Sequence, residues 1–242
     1  MVFIQKKLSL IFACYNEEAI FEKSFKKIMN FFKLTNISYE IIFIDDKSQD
    51  NTADLIRKVV KGKPNFKAIF HSKNVGRGGS VSDGFFAATG EIVGYLDIDL
   101  EISPCYISDA LVEIMQGTDA VCAKRSYDRS IHHIFRDFLH AVYSRFANLL
   151  LSLPVSDTNA SFKFFNRKKI IPVLKKTIDK HWFWDTEIMK RASISGLSIK
   201  EIPVLYIPNT EKKSTVKVFS DTLKFVDRVF WLRKKLYLEN KK

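Results

Sequence analysis

The sequence is poor in cysteine and has no long apolar run. Its three cysteines, Cys14, Cys105 and Cys122, are odd in number and show no C-x-x-C spacing, so they predict neither a disulfide framework nor a cysteine zinc site. No stretch reaches the roughly 18 uncharged apolar residues that a membrane-spanning helix needs. Residues 1–7 carry charge and lead into a strand-like run, unlike a secretory signal peptide. We therefore expect a cytoplasmic protein that does not cross a membrane.

Histidine is scarce as well, and acidic residues are outnumbered. The five histidines do not form a ligand set, because His132 and His133 are adjacent and the others lack ligand spacing. The 39 Lys and Arg residues against 27 Asp and Glu give a net charge of +12. This charge is compatible with nucleic acid, an anionic membrane or phosphorylated substrates. No nucleic-acid recognition motif accompanies it, so we expect no nucleic-acid partner.

The first 125 residues alternate short apolar runs with amphipathic segments. The runs are rich in Ile, Val and Phe and lie at Leu8–Ala13, Glu40–Ile44, Phe66–Phe70, Ile92–Leu96 and Asp119–Ala123. Helical patterns lie between them, at Glu17–Phe32, Thr52–Val60, Gly79–Ala88 and Pro104–Met115. Strands separated by helices predict βαβ units around a mostly parallel sheet, which is an α/β fold.

The second half is less regular. It predicts an apolar helical stripe at Phe138–Leu153, strands at Ser161–Phe165 and Ile199–Leu205, and helices at Lys168–Ile178, Asp185–Ser195 and Thr215–Leu236. No repeat or linker divides the chain, so we expect one domain over residues 1–211. Residues 212–242 hold more than half of the excess positive charge and predict a basic amphipathic helix, packed on that domain or extending from it.

Two apolar runs end in acidic clusters. The second run leads into Asp45 and Asp46, and the fourth leads into Asp97, Asp99 and Glu101. In an open parallel sheet, ligands bind outside the carboxyl ends of the strands. In an extended segment the three alternating carboxylates would point the same way and would suit Mg²⁺ or Mn²⁺. The plain alternative is a solvated acidic turn that caps the helix at Pro104.

A glycine-rich turn, Asn74–Ser80, follows the third run and opens a helix. Glycines there allow backbone N–H groups to approach an anion at the helix N-terminus, and Arg77 adds positive charge. The turn lacks the Gly-Lys-Ser/Thr ending of a P-loop, and it does not follow the first strand as a dinucleotide fingerprint does.

The order of these motifs resembles that of the inverting family 2 glycosyltransferases of the GT-A fold, which is Rossmann-like. The matching segments are Cys14–Glu18 (a YNE start), Asp45–Thr52 (DDxSxDxT), Asn74–Gly79 (NxGxGG) and Asp97–Glu101 (a DADLQ-like metal motif). Lys47 stands where glycine is usual, and Glu101 where glutamine is usual. A carboxylate at position 101 remains an acceptable metal ligand, so the second departure bears only on which metal is preferred.

Later segments are similar to those of dolichyl-phosphate hexose synthases, and they lean towards the glucosyl branch with the mannosyl branch close. They are Ala123–Tyr127, Asp157–Phe165, Trp182–Ile188 and Gly196–Val204. Where that family ends in a G-S-K turn, this chain reads Lys213-Ser214-Thr215-Val216. Lys213 or Lys217 would then have to supply the missing lysine.

The resemblance implies roles for individual residues. It implies nucleotide binding by Tyr15, Asn16, Glu17, Asp46, Arg77 and Asp97, and a metal, Mg²⁺ or Mn²⁺, on Asp97, Asp99 and Glu101. It implies an acceptor phosphate on Arg125, Arg129 and Arg136, and catalytic roles for Asp97, Asp99, Arg125 and Asp185. Asp185 is either a general base or a group that orients a basic residue.

The implied function is transfer of a hexose from a nucleotide-sugar of the UDP-glucose or GDP-mannose type to a polyprenyl phosphate. The apolar stripe and the basic tail then predict peripheral association with the cytoplasmic face of a membrane. Two alternatives stay open. The same fold could act on a sugar hydroxyl in polysaccharide or lipopolysaccharide assembly, with Asp185 as base, or it could bind a nucleotide-sugar without catalysis.

Overall fold

The computed structural model describes residues 7–127, 147–209, 218–239 and 241. Within these ranges seven strands form one sheet. The strands are β1 (Leu8–Cys14), β2 (Tyr39–Asp45), β3 (Phe66–Phe70), β4 (Ile92–Leu96), β5 (Ala120–Tyr127), β6 (Phe162–Asn166) and β7 (Ile199–Tyr206). All seven predicted strands are confirmed.

Helices lie between the strands in the described part of the chain. They are α1 (Glu18–Leu34), α2 (Thr52–Val60), α3 (Arg77–Ala87), α4 (Ile107–Met115), α5 (Arg167–Leu174), α6 (Trp184–Ile194) and α7 (Val218–Glu239). A 3-10 turn, Pro104–Tyr106, precedes α4, so the predicted single helix at Pro104–Met115 divides into two pieces. The predicted cap is present, because the Ser103 side chain accepts a hydrogen bond from the Cys105 N–H.

The strand order is β3-β2-β1-β4-β6-β5-β7. Neighbouring strands are parallel except at β6, which runs antiparallel to both β4 and β5. The sheet is therefore mostly parallel, as predicted. The carboxyl ends of β1 and β2 lie side by side, with Cys14 opposite Asp45, and β4 flanks β1 on the other side. This arrangement brings the segments that follow β1, β2 and β4 to one edge.

Helices cover both faces of the sheet, which explains why its strands read as continuous apolar runs. Phe12 and Phe43 face one side and pack with α1 and α4. Ile11 and Ile44 face the other side and pack with α3, α5 and α6. Gly84 lets α3 lie directly on the sheet, because a Cβ there would stand 2.6 Å from Ile11 Cγ2.

Helix α5 ends at Leu174, four residues before the predicted end at Ile178. The backbone N–H groups that follow donate to a carbonyl three residues back or to a side chain, instead of to the carbonyl four residues back. Thr177 N donates to the Leu174 carbonyl three residues back, and Ile178 N donates to the Glu187 carboxylate of α6. A tertiary contact thus ends a helix that its sequence pattern would continue.

Helix α7 packs on the rest of the molecule. Val229 and Leu232 are buried in a small cluster that also contains Ala147, Leu151 and Phe183. Two ion pairs join its exposed edges to the domain, Arg191–Glu239 at 2.8 Å and Arg228–Asp179 at 3.5 Å. Residues 138–146 of the predicted apolar stripe lie outside the described residues. No described helix is both long enough and apolar enough to span a bilayer.

Candidate active site

The loops after β1 and β2 are joined by hydrogen bonds between them. Asn16 Oδ1 accepts from Gln49 N at 2.7 Å, and Ser48 Oγ accepts from Asn16 N at 3.0 Å. Thr52 Oγ1 accepts from Glu17 N at 2.8 Å. Tyr15, Asn16 and Glu17 were predicted as nucleotide ligands. Of these, Asn16 and Glu17 join the loops after β1 and β2 to each other. Tyr15 is 43% exposed and presents its ring to solvent.

Asp46 lies at the centre of this edge, and its carboxylate is engaged within the chain. Oδ1 accepts from Val75 N at 2.8 Å, and Oδ2 accepts from Gly76 N at 2.9 Å. His71 Nδ1 lies 2.9 Å from Oδ1. The anion that the glycine-rich turn was expected to hold is, in this structure, the chain's own Asp46.

The glycine-rich turn is covered by residues 180–184. Gly79 N donates to the Lys180 carbonyl at 2.9 Å. A Cβ at Gly76 would stand 2.4 Å from His181 Nδ1, and one at Gly78 would stand 2.3 Å from Trp184 Cβ. The glycines are required by close packing between α3 and the start of α6, which is a different reason from the expected phosphate cradle.

Arg77 lies at the start of α3 and is held by two carboxylates. Its Nε and Nη2 donate to Asp97 Oδ1 at 3.1 and 2.9 Å, and its Nη1 donates to Asp185 Oδ2 at 2.6 Å. The guanidinium lies 5.2 Å from the ring centres of both Tyr95 and Trp182. The structure thus joins three predicted site residues through an arginine whose charge is already paired.

Asp185 completes a buried ion network. Its other oxygen, Oδ1, accepts from Lys163 Nζ at 2.6 Å and from the Tyr95 hydroxyl. Lys163 is fully buried and also donates to the Ala160 carbonyl at 2.6 Å. Two cations, Arg77 and Lys163, face two carboxylates, Asp97 and Asp185, so the network is neutral. A buried charge is tolerated only when it is paired in this way.

The network changes the titration of its members. Burial by itself would raise the pKa of Asp185, but the Lys163 and Arg77 cations and the hydrogen bond from Tyr95 outweigh it and lower that pKa. Burial and the Asp185 charge raise the pKa of Tyr95 well above its usual range. Burial opposes the charge of Arg77, yet Asp97 and Asp185 raise its pKa further. Asp185 is therefore an anion at neutral pH, and it is 1% exposed.

A small cavity brings together the remaining predicted residues. It has a volume of about 20 Å³, room for roughly one water, and is lined by Leu96, Asp97, Asp99, Glu101, Ile102, Arg125, Ser161 and Tyr206. Four residues that the sequence singles out thus meet at the carboxyl end of β4. A larger cleft of about 310 Å³ lies near the amino end of β5, beside Asp119 and Lys169, and contains none of the predicted site residues.

The segment that carries the three carboxylates of the metal prediction has a turned backbone. Residues 97–100 form a turn, and Leu100 has a φ of 54°, so the segment is not extended as expected. Asp97 is drawn towards Arg77, whereas Glu101 accepts from the Tyr206 hydroxyl at 2.5 Å. Among the side chains that the structure describes, no three Asp, Glu, His or Cys residues form a set of metal ligands.

Arg125 lines the same cavity as Asp99 and Glu101. Its Nε and Nη2 donate to the two oxygens of Asp157 at 2.7 and 2.9 Å, which is a bidentate pair. Its guanidinium also lies 5.5 Å from the centre of the Tyr206 ring. Arg129 and Arg136, the other predicted acceptor contacts, lie outside the described residues, as do Lys213 and Lys217.

Comparison with known proteins identifies the family. The family model described as "Glycosyl transferase family 2" matches residues 9–174, well over half of the chain. The chain belongs to this family. The motifs after β1, β2, β3 and β4 all fall inside the matched range, and so does the Asp157–Phe165 segment. The resemblance inferred from the sequence is therefore confirmed at the level of the family.

Individual relatives are distant. The chain is 24% identical over 212 residues to glycosyltransferase AglD of Haloferax volcanii, covering 86% of this chain and 34% of AglD. It is also 24% identical over 208 residues to the dolichyl-phosphate beta-glucosyltransferase ALG5A of Trichomonas vaginalis, covering 81% of this chain and 64% of ALG5A. The chain thus spans less than two thirds of the length of either relative.

Solved structures share the fold. A mannosyltransferase from Pyrobaculum calidifontis, in complex with GDP-Man and Mn²⁺, has a TM-score of 0.63 at 17% identity and covers 86% of this chain and 58% of its own. Glucosyl-3-phosphoglycerate synthase from Mycobacterium tuberculosis, with Mn²⁺, UDP and glucosyl-3-phosphoglycerate, has a TM-score of 0.66 at 17% identity, covering 95% and 80%. These are GT-A glycosyltransferases, which confirms the fold.

Three residues of the site were absent from the residues predicted as ligands. Lys163, Asp157 and Tyr206 hold Asp185, Arg125 and Glu101 respectively. Lys163 had a visible signal, because a lysine within Phe162–Phe165 interrupts an otherwise apolar strand. Such a lysine needs a buried counter-ion. Tyr206 had no comparable signal, since a tyrosine at a strand end is ordinary.

The buried network makes a prediction about stability. Asp185→Asn should lower the free energy of unfolding at pH 7 by about 3–5 kcal/mol, because it leaves Lys163 buried without its counter-ion. The double variant Asp185→Asn with Lys163→Met should lose less than this single variant. Guanidinium denaturation of the unmodified protein, of Asp185→Asn, of Lys163→Met and of the double variant measures these values. Costs that simply add would show that the two charges are not coupled.

The pH dependence of the same network follows from the direction of the Asp185 shift. Its pKa is lowered on folding, so its contribution is complete above the unfolded value of 3.8 and is lost as the pH falls through the folded value. Asp185→Asn should therefore flatten the acid limb of the stability curve relative to the unmodified protein. An acid limb of unchanged slope would contradict the assignment.

Proposed function

We propose that this family 2 glycosyltransferase moves a hexose from a nucleotide-sugar, of the UDP-glucose or GDP-mannose type, to a polyprenyl phosphate with inversion. One observation carries the choice of acceptor. The Asp185 carboxylate that a hydroxyl acceptor would need as a base is buried between Lys163 and Arg77. An arginine, Arg125, lies instead at the carboxylate-lined cavity.

The donor half of the proposal rests on the edge formed by β1 and β2. Asp45 ends β2 and is buried, and within the described structure its Oδ1 has no hydrogen-bond partner. A buried acceptor without a donor is costly unless a ligand supplies one. We assign this oxygen to an N–H of the nucleobase, with the exposed Tyr15 ring nearby to stack on the base. Asp46 then supports the neighbouring turn and does not itself contact the nucleotide.

The residues at the end of β4 suit a divalent metal in their chemistry. Asp99 and Glu101 supply hard carboxylate oxygens at one cavity, the ligand type that Mg²⁺ and Mn²⁺ prefer. Asp97 adds a third carboxylate, of which Oδ1 is held by Arg77. We propose that Asp99 and Glu101 hold the metal with Asp97 beside them. Such a metal supplies charge compensation for the diphosphate leaving group.

The acceptor half of the proposal rests on Arg125. A lipid phosphate is already anionic at neutral pH, so it needs orientation and charge compensation more than proton removal. Asp157 fixes Nε and Nη2 of Arg125, which directs the guanidinium to the cavity in one orientation. Arginine is well suited to phosphate because its N–H groups form a rigid planar fork. We extend the proposal to Arg129 and Arg136, as predicted from the sequence.

The outward side of α7 suits an anionic membrane surface. Phe230, Tyr237 and Leu238 are half or more exposed, and they alternate with Arg233 and Lys234, which are also exposed. Aromatic and basic side chains on one side of a helix are typical of interfacial helices. We therefore propose peripheral association with the membrane that contains the acceptor. Co-sedimentation with phosphatidylglycerol vesicles but not with phosphatidylcholine vesicles would support this association. Failure to bind either kind of vesicle would contradict it.

A matched pair of variants tests the donor half. Asp45→Asn should raise the dissociation constant for UDP or GDP about tenfold, because it replaces an acceptor oxygen that has no partner among the described residues. Asp46→Asn should mainly lower the Tm, because the Val75 and Gly76 N–H groups lose a charged acceptor. Calorimetric titration and thermal denaturation measure both. A weaker nucleotide complex with an unchanged Tm in Asp46→Asn would return the contact to Asp46.

Arg125→Ala tests the acceptor half. Transfer to polyprenyl phosphate should fall about a hundredfold in kcat/KM, the loss expected for a charge-assisted contact. Slow hydrolysis of the donor by water should change by less than about threefold. Arg57→Ala is the control, since Arg57 is exposed on α2 and pairs only with Asp54 among the ion pairs of the described residues. An equal fall in transfer and hydrolysis would remove Arg125 from the acceptor site.

A further inference from the structure

Tyr206, at the end of β7, touches both halves of the proposed site. Its hydroxyl donates to Glu101 Oε2 at 2.5 Å. Its ring lies beneath the Arg125 guanidinium, 5.5 Å from ring centre to Cζ. Tyr206 lines the cavity that Glu101 and Arg125 also line. One side chain is therefore in contact with a carboxylate on the metal side and with the arginine on the acceptor side.

Backbone groups at and after Tyr206 also hold the turn that contains Glu101. Ile102 and Tyr206 form an antiparallel bridge, and Ile207 N donates to the Glu101 carbonyl at 2.9 Å. Asn209 N donates to Glu101 Oε1 at 3.1 Å. Both carboxylate oxygens of Glu101 thus accept hydrogen bonds from the end of β7 and the residues after it. A carboxylate held at both oxygens has little freedom to change its direction.

The other end of β7 supports Arg125. Glu201 Oε1 accepts from Ser156 N at 2.8 Å and from Asp157 N at 3.0 Å. Asp157 in turn holds Arg125 through its bidentate pair. Glu201 and Tyr206 belong to one strand, so β7 positions the arginine from two directions. The strand β7 therefore contacts the surroundings of both Glu101 and Arg125.

We propose that Tyr206 is a positioning residue that couples Glu101 to Arg125, with its hydroxyl orienting the carboxylate and its ring orienting the guanidinium. The role rests on the proposed function, in which Glu101 serves the metal and Arg125 the acceptor phosphate. The two parts of the side chain act on different steps. The hydroxyl governs how well Glu101 binds a cation, and the ring governs how well Arg125 binds an anionic acceptor.

Two substitutions at Tyr206 separate these parts. Tyr206→Phe removes only the hydroxyl and should weaken Mn²⁺ binding about tenfold, the usual loss when the partner of a metal-ligating group is removed. It should leave the KM for polyprenyl phosphate within about twofold. Tyr206→Leu removes the ring as well and should also raise that KM about tenfold. Paramagnetic resonance of free Mn²⁺ measures metal binding without any turnover.

A third variant tests whether Tyr206 acts through Glu101. Adding Tyr206→Phe to Glu101→Ala should cause no further loss of Mn²⁺ affinity, because the group that the hydroxyl orients is already absent. Tyr39→Phe is the control, since Tyr39 lies at the amino end of β2 and stacks on Phe32. It should change neither measurement. Thermal denaturation checks that every variant is folded.

The outcomes distinguish this role from the proposed function. Unchanged Mn²⁺ binding in Tyr206→Phe overturns the coupling, and so does an equal change of Mn²⁺ affinity and KM in that variant. Additive losses in the Glu101→Ala double variant overturn it as well. If the unmodified protein binds Mn²⁺ but transfers no sugar to polyprenyl phosphate, the proposed acceptor fails. In that case the Mn²⁺ measurements still decide the role of the Tyr206 hydroxyl.

Discussion

The ion network of Lys163, Asp185, Arg77 and Asp97 is the interaction on which the rest of the site depends. It joins β6, α6, α3 and the end of β4 at one point inside the molecule. Lys163 and Asp185 are buried and Arg77 nearly so, whereas Asp97 is partly exposed. The buried charges are stable there only because their partners are present. Removing one member would leave an unpaired charge. The network therefore fixes where α3 and α6 begin relative to the strand that leads to Asp97.

This constraint divides the chemistry between two groups of residues. The carboxylate of Asp185 is paired with two cations, which lower its pKa and make it a weaker base. Arg77 is equally committed and keeps one oxygen of Asp97 in place. Asp99, Glu101 and Arg125 line the small cavity at the end of β4. In the proposed function, the carboxylates at this cavity serve a metal that holds the diphosphate, and the arginine serves an anionic acceptor.

The fold could be predicted from the sequence because its determinants are local. Runs of Ile, Val and Phe gave the strands, and glycines and prolines gave several of the helix ends. The position of Lys47 shows why a family pattern has glycine, since φ there is 66° and glycine adopts such values without strain. The left-handed residue is tolerated here in a loop held by Asn16 and Ser48.

The side-chain partners could not be predicted in the same way. Arg77 and Asp185 are 108 residues apart in sequence, and Tyr206 and Glu101 are 105 apart. Whether a carboxylate such as Asp46 faces a ligand or its own backbone depends on the fold around it. The prediction that Asp97, Asp99 and Glu101 share a direction assumed an extended chain. The backbone is instead turned at Leu100, where φ is 54°.

The most direct test of the account compares two acceptors that differ only in the phosphate. Polyprenyl phosphate and the corresponding polyprenol are offered with UDP-glucose or GDP-mannose in the presence of Mn²⁺, and the glycosylated lipid is quantified. The account predicts transfer to the phosphate and at least about a hundredfold less to the alcohol, because the lowered pKa of Asp185 makes it a weak base for the alcohol. Transfer to the alcohol at a comparable rate would contradict the account.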